Sequence, residues 1–96
     1  MAGKTIEIKF KNDITQIKLG NAKKIEIINH PEFCLNTLNI YYKNLKEIMK
    51  KKDEFENIGN RVELYPKIFV PKEINKSNLP YYSFNINAKE EIKIIL

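Results

Sequence analysis

The sequence predicts an α+β domain in which one main helix covers one face of an antiparallel sheet, in the order β-β-β-α-β-β-β. Three observations carry this. Residues 4–10, KTIEIKF, alternate apolar and polar, with Ile6, Ile8 and Phe10 on one side and Glu7 and Lys9 on the other. Residues 30–58 carry apolar side chains at helical spacing. Alternation then returns at Tyr82, Phe84 and Ile86, and again at Ile92, Ile94 and Leu96. A helix following one set of hairpin-length strands and preceding another packs its apolar stripe on their common sheet.

Lys11-Asn12-Asp13 supplies turn residues after the first strand, Ile17 and Leu19 continue as a second, and Gly20-Asn21 turns the chain into Lys24-Ile25-Glu26-Ile27. These three strands are expected to form a meander. Ile28 breaks the alternation, and the residues around it read as a helix start. With Asn29 as N-cap, Glu32 falls at N3 of a capping box, Ile28 and Phe33 form a hydrophobic staple, and Pro31 occupies the first turn.

Along that helix Cys34, Leu38, Tyr41, Leu45, Ile48 and Met49 fall on one arc, and Gly59 is the expected stop. A helix over residues 30–58 would be about 43 Å long, more than the roughly 32 Å width expected of such a domain. A break near Lys52 and Asp53 is therefore expected, with Asp53 and Glu56 as a second cap pair. Val62 and Leu64, then Ile68 and Val70, read as edge strand or two short pieces because Pro66 and Pro71 interrupt them.

With 43% hydrophobic and 30% charged residues, the chain reads as one globular domain over residues 1–96. No apolar run is long enough to span a bilayer, and residues 1–10 lack the apolar block of a signal peptide. The single cysteine, Cys34, fits a reducing compartment, so a cytoplasmic protein is expected, in the host cytoplasm if it is viral.

The net charge of +5 invites a nucleic-acid reading. Its composition weakens that invitation, because of the seventeen basic residues only Arg61 is an arginine, and Lys, Ile and Asn together mark an AT-rich coding bias. The conspicuous stretch KNLKEIMKKK, residues 43–52, lies in a segment whose acids balance its lysines. Glu47 and Lys51 form a favourable i,i+4 pair, and Lys50-Lys51-Lys52 would complement a C-terminal dipole if the helix broke there. A solvated helix face accounts for these charges. The open sheet face is expected to mix signs and to carry Tyr81 as its single outward ring, which is no stacking platform.

Candidate sites are few. His30 and Cys34 would stand at i,i+4 in the first helical turns, where a thiolate is favoured, but Cys34 falls on the apolar stripe and no orienting group is at hand. One His and one Cys fill no zinc site, no glycine loop cradles a phosphate, and neither metal nor cofactor is expected. Ile40 is expected to be exposed beside Phe33, bordered by Asn36, Lys43 and Glu47, as the centre of a small protein-binding patch. The leading expectation is thus a non-enzymatic module that docks on another protein, such as an inhibitory accessory factor of a virus, phage or mobile element. The alternatives are weak nucleic-acid binding through Lys43, Lys46 and Lys50, which share one helical flank, and a cysteine enzyme at Cys34.

Overall fold

A computed structural model describes residues 4–10, 13–62 and 66–95. In chain order the elements are β1 (Lys4–Phe10), β2 (Asp13–Gly20), β3 (Lys24–His30), β4 (Leu35–Tyr41), α1 (Leu45–Val62), β5 (Lys67–Phe69), β6 (Tyr81–Asn87) and β7 (Glu91–Ile95). All strand pairs are antiparallel. The class is α+β with one main helix, as the sequence predicts. The strands form two sheets, of order β2-β1-β7 and β3-β4-β6-β5.

The expected three-strand meander is half right. β1 and β2 form a hairpin, with Ile6 opposite Ile17 and Glu7 opposite Gln16. β3 then leaves that sheet. Gly20 ends β2 with φ of +64°, a left-handed conformation that glycine adopts without penalty, and the chain turns into the second sheet. The third place beside β1 is filled by β7, which pairs Ile8 with Ile92. Both sheets turn an apolar face inward: Ile6, Ile17 and Leu19 from one, Leu38, Ile40, Tyr82, Phe84 and Ile86 from the other.

The helix start expected at Asn29 is overturned. Asn29 ends up in β3 opposite Asn36, and Pro31–Phe33 forms only a short 3₁₀ turn with no side-chain cap bond. Cys34 follows in the left-handed region, φ +52°. Residues 35–41, LNTLNIY, are strand β4. Thr37, Ile40 and Tyr41 are strand formers, while Asn36 and Asn39 are poor helix formers. Leu38 and Ile40, two residues apart, share a face only at a strand's period of two; on a helix Leu38 alone would lie on the apolar arc. Tertiary pairing decides: β4 is the centre of the sheet, held by β3 on one side and β6 on the other.

The helix begins fifteen residues later than expected with the same Asn-x-x-Glu signature. Asn44 Oδ1 accepts the backbone N–H of Glu47 at 3.0 Å, the N-cap to N3 bond. Counted from Leu45, the eighteen residues of α1 span about 27 Å, which fits a molecule of 38 × 31 × 23 Å. No break at Lys52 is needed, and α1 runs through Gly59 to Val62. Leu64 and Leu96 lie outside the described residues.

Helix α1 rests on the shared core through Ile48 and Phe55, both fully buried. Phe55 meets Tyr82 edge-on at 4.9 Å and 84°, and Phe84 at 5.5 Å and 73°. Tyr42, between β4 and α1, donates its phenol O–H to the carbonyl of Leu19 at 2.6 Å. That bond ties the start of the helix to the other sheet. Because α1 lies on the inner side, the opposite face of the four-stranded sheet is left open.

Candidate ligand surface on the outer sheet face

Side chains two residues apart share a sheet face, so the register assigns the open face directly. Across β3, β4, β6 and β5 its rows read Lys24, Tyr41, Tyr81, Phe69, then Glu26, Asn39, Ser83, Lys67. Below them stand Ile28, Thr37 and Asn85, then His30, Leu35 and Asn87. Successive rows are about 6.6–6.8 Å apart.

The first row is a stack. Tyr41 and Tyr81 have ring centroids 4.7 Å apart at 36°, and Tyr81 and Phe69 are 5.1 Å apart at 17°. The Tyr81 and Phe69 rings, near-parallel and this close, lie face over face, and Tyr41 packs against Tyr81 at a tilt. Lys24 places its Nζ over the Tyr41 ring, 5.2 Å from the centroid, as a cation–π contact at the β3 end. At the other end β5 is the edge of the sheet, and Phe69 is 43% exposed. The stack is therefore closed by an ammonium at one end and open at a flat aromatic face at the other.

Polar bonds fix Tyr41 and the rows beneath it. Glu26 Oε1 accepts from the Tyr41 hydroxyl at 3.0 Å and from Asn39 Nδ2 at 3.2 Å. These two donors, with Lys24 3.9 Å away, hold the Glu26 carboxyl below its ordinary value. Burial, and then the hydrogen bond to Glu26, push the Tyr41 phenol up to about 12, so it remains a donor at neutral pH. Asn39 Oδ1 is buried with no partner among the described residues. Further down, Thr37 gives its hydroxyl proton to Asn85 Oδ1 at 2.9 Å. His30 Nε2 lies 3.0 Å from Thr37 Oγ1, which has given its own proton to Asn85 and so accepts from the imidazole N–H.

This face corrects the sequence reading, which left Tyr81 as its one outward ring. Tyr41 was expected on the helix stripe, and its move into β4 brings it beside Tyr81. The period-two signal through Phe69 was available but was obscured by Pro66 and Pro71.

The other expected site residues scatter. Ile40 is fully buried between Ile25 and Tyr82, so the protein-binding patch loses its centre. Phe33 is 69% exposed in the turn after β3, Asn36 lies in β4, and Lys43 and Glu47 flank the start of α1. Lys43, Lys46 and Lys50 are exposed at the N-terminal end of α1, where cations oppose the helix dipole. Lys50 pairs with Glu47 at 3.4 Å, and Lys51 pairs with Glu54 in place of the expected Glu47. His30 and Cys34 are not on one helix, and His30 is engaged with Thr37. Cys34 is exposed where burial was expected.

Among the described residues no cluster of His, Cys, Asp and Glu is placed to hold a metal ion. Among them, too, no helix is long and apolar enough to cross a membrane. Set against known proteins, the chain matches no family model, no curated protein and no solved structure. The geometry of the open face is thus the basis for a functional reading.

Proposed function

We propose that this chain is a non-enzymatic binding module for single-stranded nucleic acid, taken up on the outer face of the four-stranded sheet. The observation that carries this reading is the ring stack Tyr41–Tyr81–Phe69, ending in a free aromatic face at the sheet edge. A nucleobase continues such a stack. Stacking on an aromatic side chain is worth about 1–3 kcal/mol per base and is indifferent to base identity. Lys67, on the same strand and one row below Phe69, is exposed and has no ion-pair partner among the described residues, so it is free to meet a phosphate. The excess positive charge of the chain supports the same ligand.

A single strand is favoured over a duplex because duplex bases are already stacked and have no free face to offer. Ser83 and Asn85, two residues apart on β6, put hydrogen-bonding groups on the same face. The docking patch around Ile40 is set aside because that side chain is buried.

The test is a fluorescence-anisotropy titration with single-stranded and duplex oligonucleotides at two salt concentrations. Binding of the single strand, weakened by salt with a log–log slope of about −0.7 per phosphate contacted, supports the proposal. Equal affinity for duplex, or no binding, refutes it.

A further inference from the structure

The four sheet edges of this molecule are not guarded alike. β5 has three residues and lies between Pro66 and Pro71, and β7 begins with Glu91 and carries Lys93. β2 shows Gln16 and Lys18 on its exposed side. Short strands, prolines and charges are the ordinary protection against edge pairing. β3 is an edge of seven residues with its charges, Lys24 and Glu26, confined to its first half and Pro31 just beyond its end, so that the stretch Ile27-Ile28-Asn29 between them carries no such guard. Ile27 is 43% exposed and Ile28 39%, one on each face of the sheet. Among the described residues no backbone group from outside the sheet bonds to this strand.

We infer that β3 pairs antiparallel with β3 of a second copy of this chain, about a two-fold axis at Ile28. The strand's own sequence selects that register. Residues directly opposite in an antiparallel pair share a face, so with the axis at Ile28 the two Ile28 side chains meet on the outer face. Each Glu26 carboxylate then faces the partner's His30, twice over, and each Ile27 faces the partner's Asn29. Moving the axis to Ile27 puts Glu26 against an isoleucine and Lys24 against His30. Moving it to Asn29 sets Pro31, which has no N–H to give, against Ile27 next to the axis and Glu26 against Glu32, whereas with the axis at Ile28 Pro31 meets only Ile25 at the end of the ladder. Pairing at Ile28 is isologous and closed, so it yields a dimer and no fibre. The two four-stranded sheets become one continuous sheet, and the two Phe69 stacks stand at its far ends. This association is independent of the nucleic-acid reading and is tested without any ligand.

The experiment is sedimentation equilibrium on the intact protein up to millimolar concentration, with amide exchange followed at low and high protein. A monomer–dimer equilibrium is expected, with exchange slowing at alternate residues of β3 as concentration rises. Ile28→Lys, at a half-exposed position, should return the protein to monomer, with a thermal midpoint equal to that of wild type at protein concentrations where the wild type is itself monomeric. Register is read by oxidation in a Cys34→Ser background: Ile28→Cys should cross-link to a covalent dimer, and Glu26→Cys should not. A monomer at all concentrations, a dimer insensitive to Ile28→Lys, or equal cross-linking at both positions overturns the inference.

Discussion

The Phe69 ring lies over that of Tyr81, 5.1 Å between centroids and 17° from parallel, and among the described residues no strand stands beyond it. One face of Phe69 is therefore held by the protein and the other is offered to whatever approaches the sheet edge. Since the side chain is already 43% exposed, Phe69→Ala should change stability little, by under about 1 kcal/mol. It should nevertheless weaken oligonucleotide binding by roughly 5- to 150-fold, the equivalent of one stacked base. Phe69→Trp should retain or improve affinity. Paired urea melts and binding titrations on the three proteins check this.

The helix cap supplies a second test. Asn44→Ala removes the acceptor of the Glu47 backbone N–H and should cost about 1 kcal/mol. Asn29→Ala, exposed in the edge strand β3, should stay within about 0.5 kcal/mol of wild type in the same urea melts. The opposite ranking would place the helix start back at Asn29.

Cys34 is the third. The thiol is exposed in a turn, so Ellman's reagent should label the native protein without prior unfolding. Its φ of +52° carries the penalty of a left-handed residue with a side chain. Cys34→Gly should relieve that penalty and stabilise the fold by about 0.5–1 kcal/mol, net of the glycine's greater freedom when unfolded. A loss of stability in thermal melts of the variant would contradict the turn geometry.

Alkaline pH gives the fourth. Burial, followed by the nearby charges of Glu54 and Glu47, pushes the Tyr42 phenol well above its ordinary value of 10. The folded state therefore keeps a proton that the unfolded state releases. Its contribution is complete below pH 10 and declines as pH rises through the unfolded value towards the folded one. Stability should fall over that window, and the fall should be shallower in Tyr42→Phe, which has no phenol to ionise. The variant should also lose about 1 kcal/mol at neutral pH with the bond to Leu19. Identical pH slopes in the two proteins would rule Tyr42 out as the cause.

Much of this fold is legible in the sequence, and the failures have physical causes. β1, β2 and β6 follow from alternation alone, because one face of each is buried and the other wet. The stretch from Asn29 to Tyr41 misleads because it carries two consistent signals. Asn29, Pro31, Glu32 and Phe33 mimic a capped helix, and Leu38 and Tyr41 keep helical spacing. Strand pairing on both sides of β4 outweighs those local preferences, and no local pattern reports that pairing. The same Asn-x-x-Glu signature recurs at Asn44 and Glu47, where it does cap a helix. The ring stack is hidden from the sequence by this error together with the prolines around Phe69, since Tyr41 joins Tyr81 and Phe69 only when residues 35–41 are extended.

The stack and the lysine flank of α1 are two surfaces that one measurement separates. The proton NMR spectrum of the protein is followed while a short single-stranded oligonucleotide is added. Base stacking on the free face of Phe69 should move the Phe69 ring resonances upfield, with smaller shifts at Tyr81 and at the Lys67 amide. Lys43, Lys46 and Lys50 should stay in place, and their replacement by Glu should leave the Phe69 shift intact. Shifts confined to the first turns of α1, with the Phe69 ring unmoved, would contradict the proposed surface.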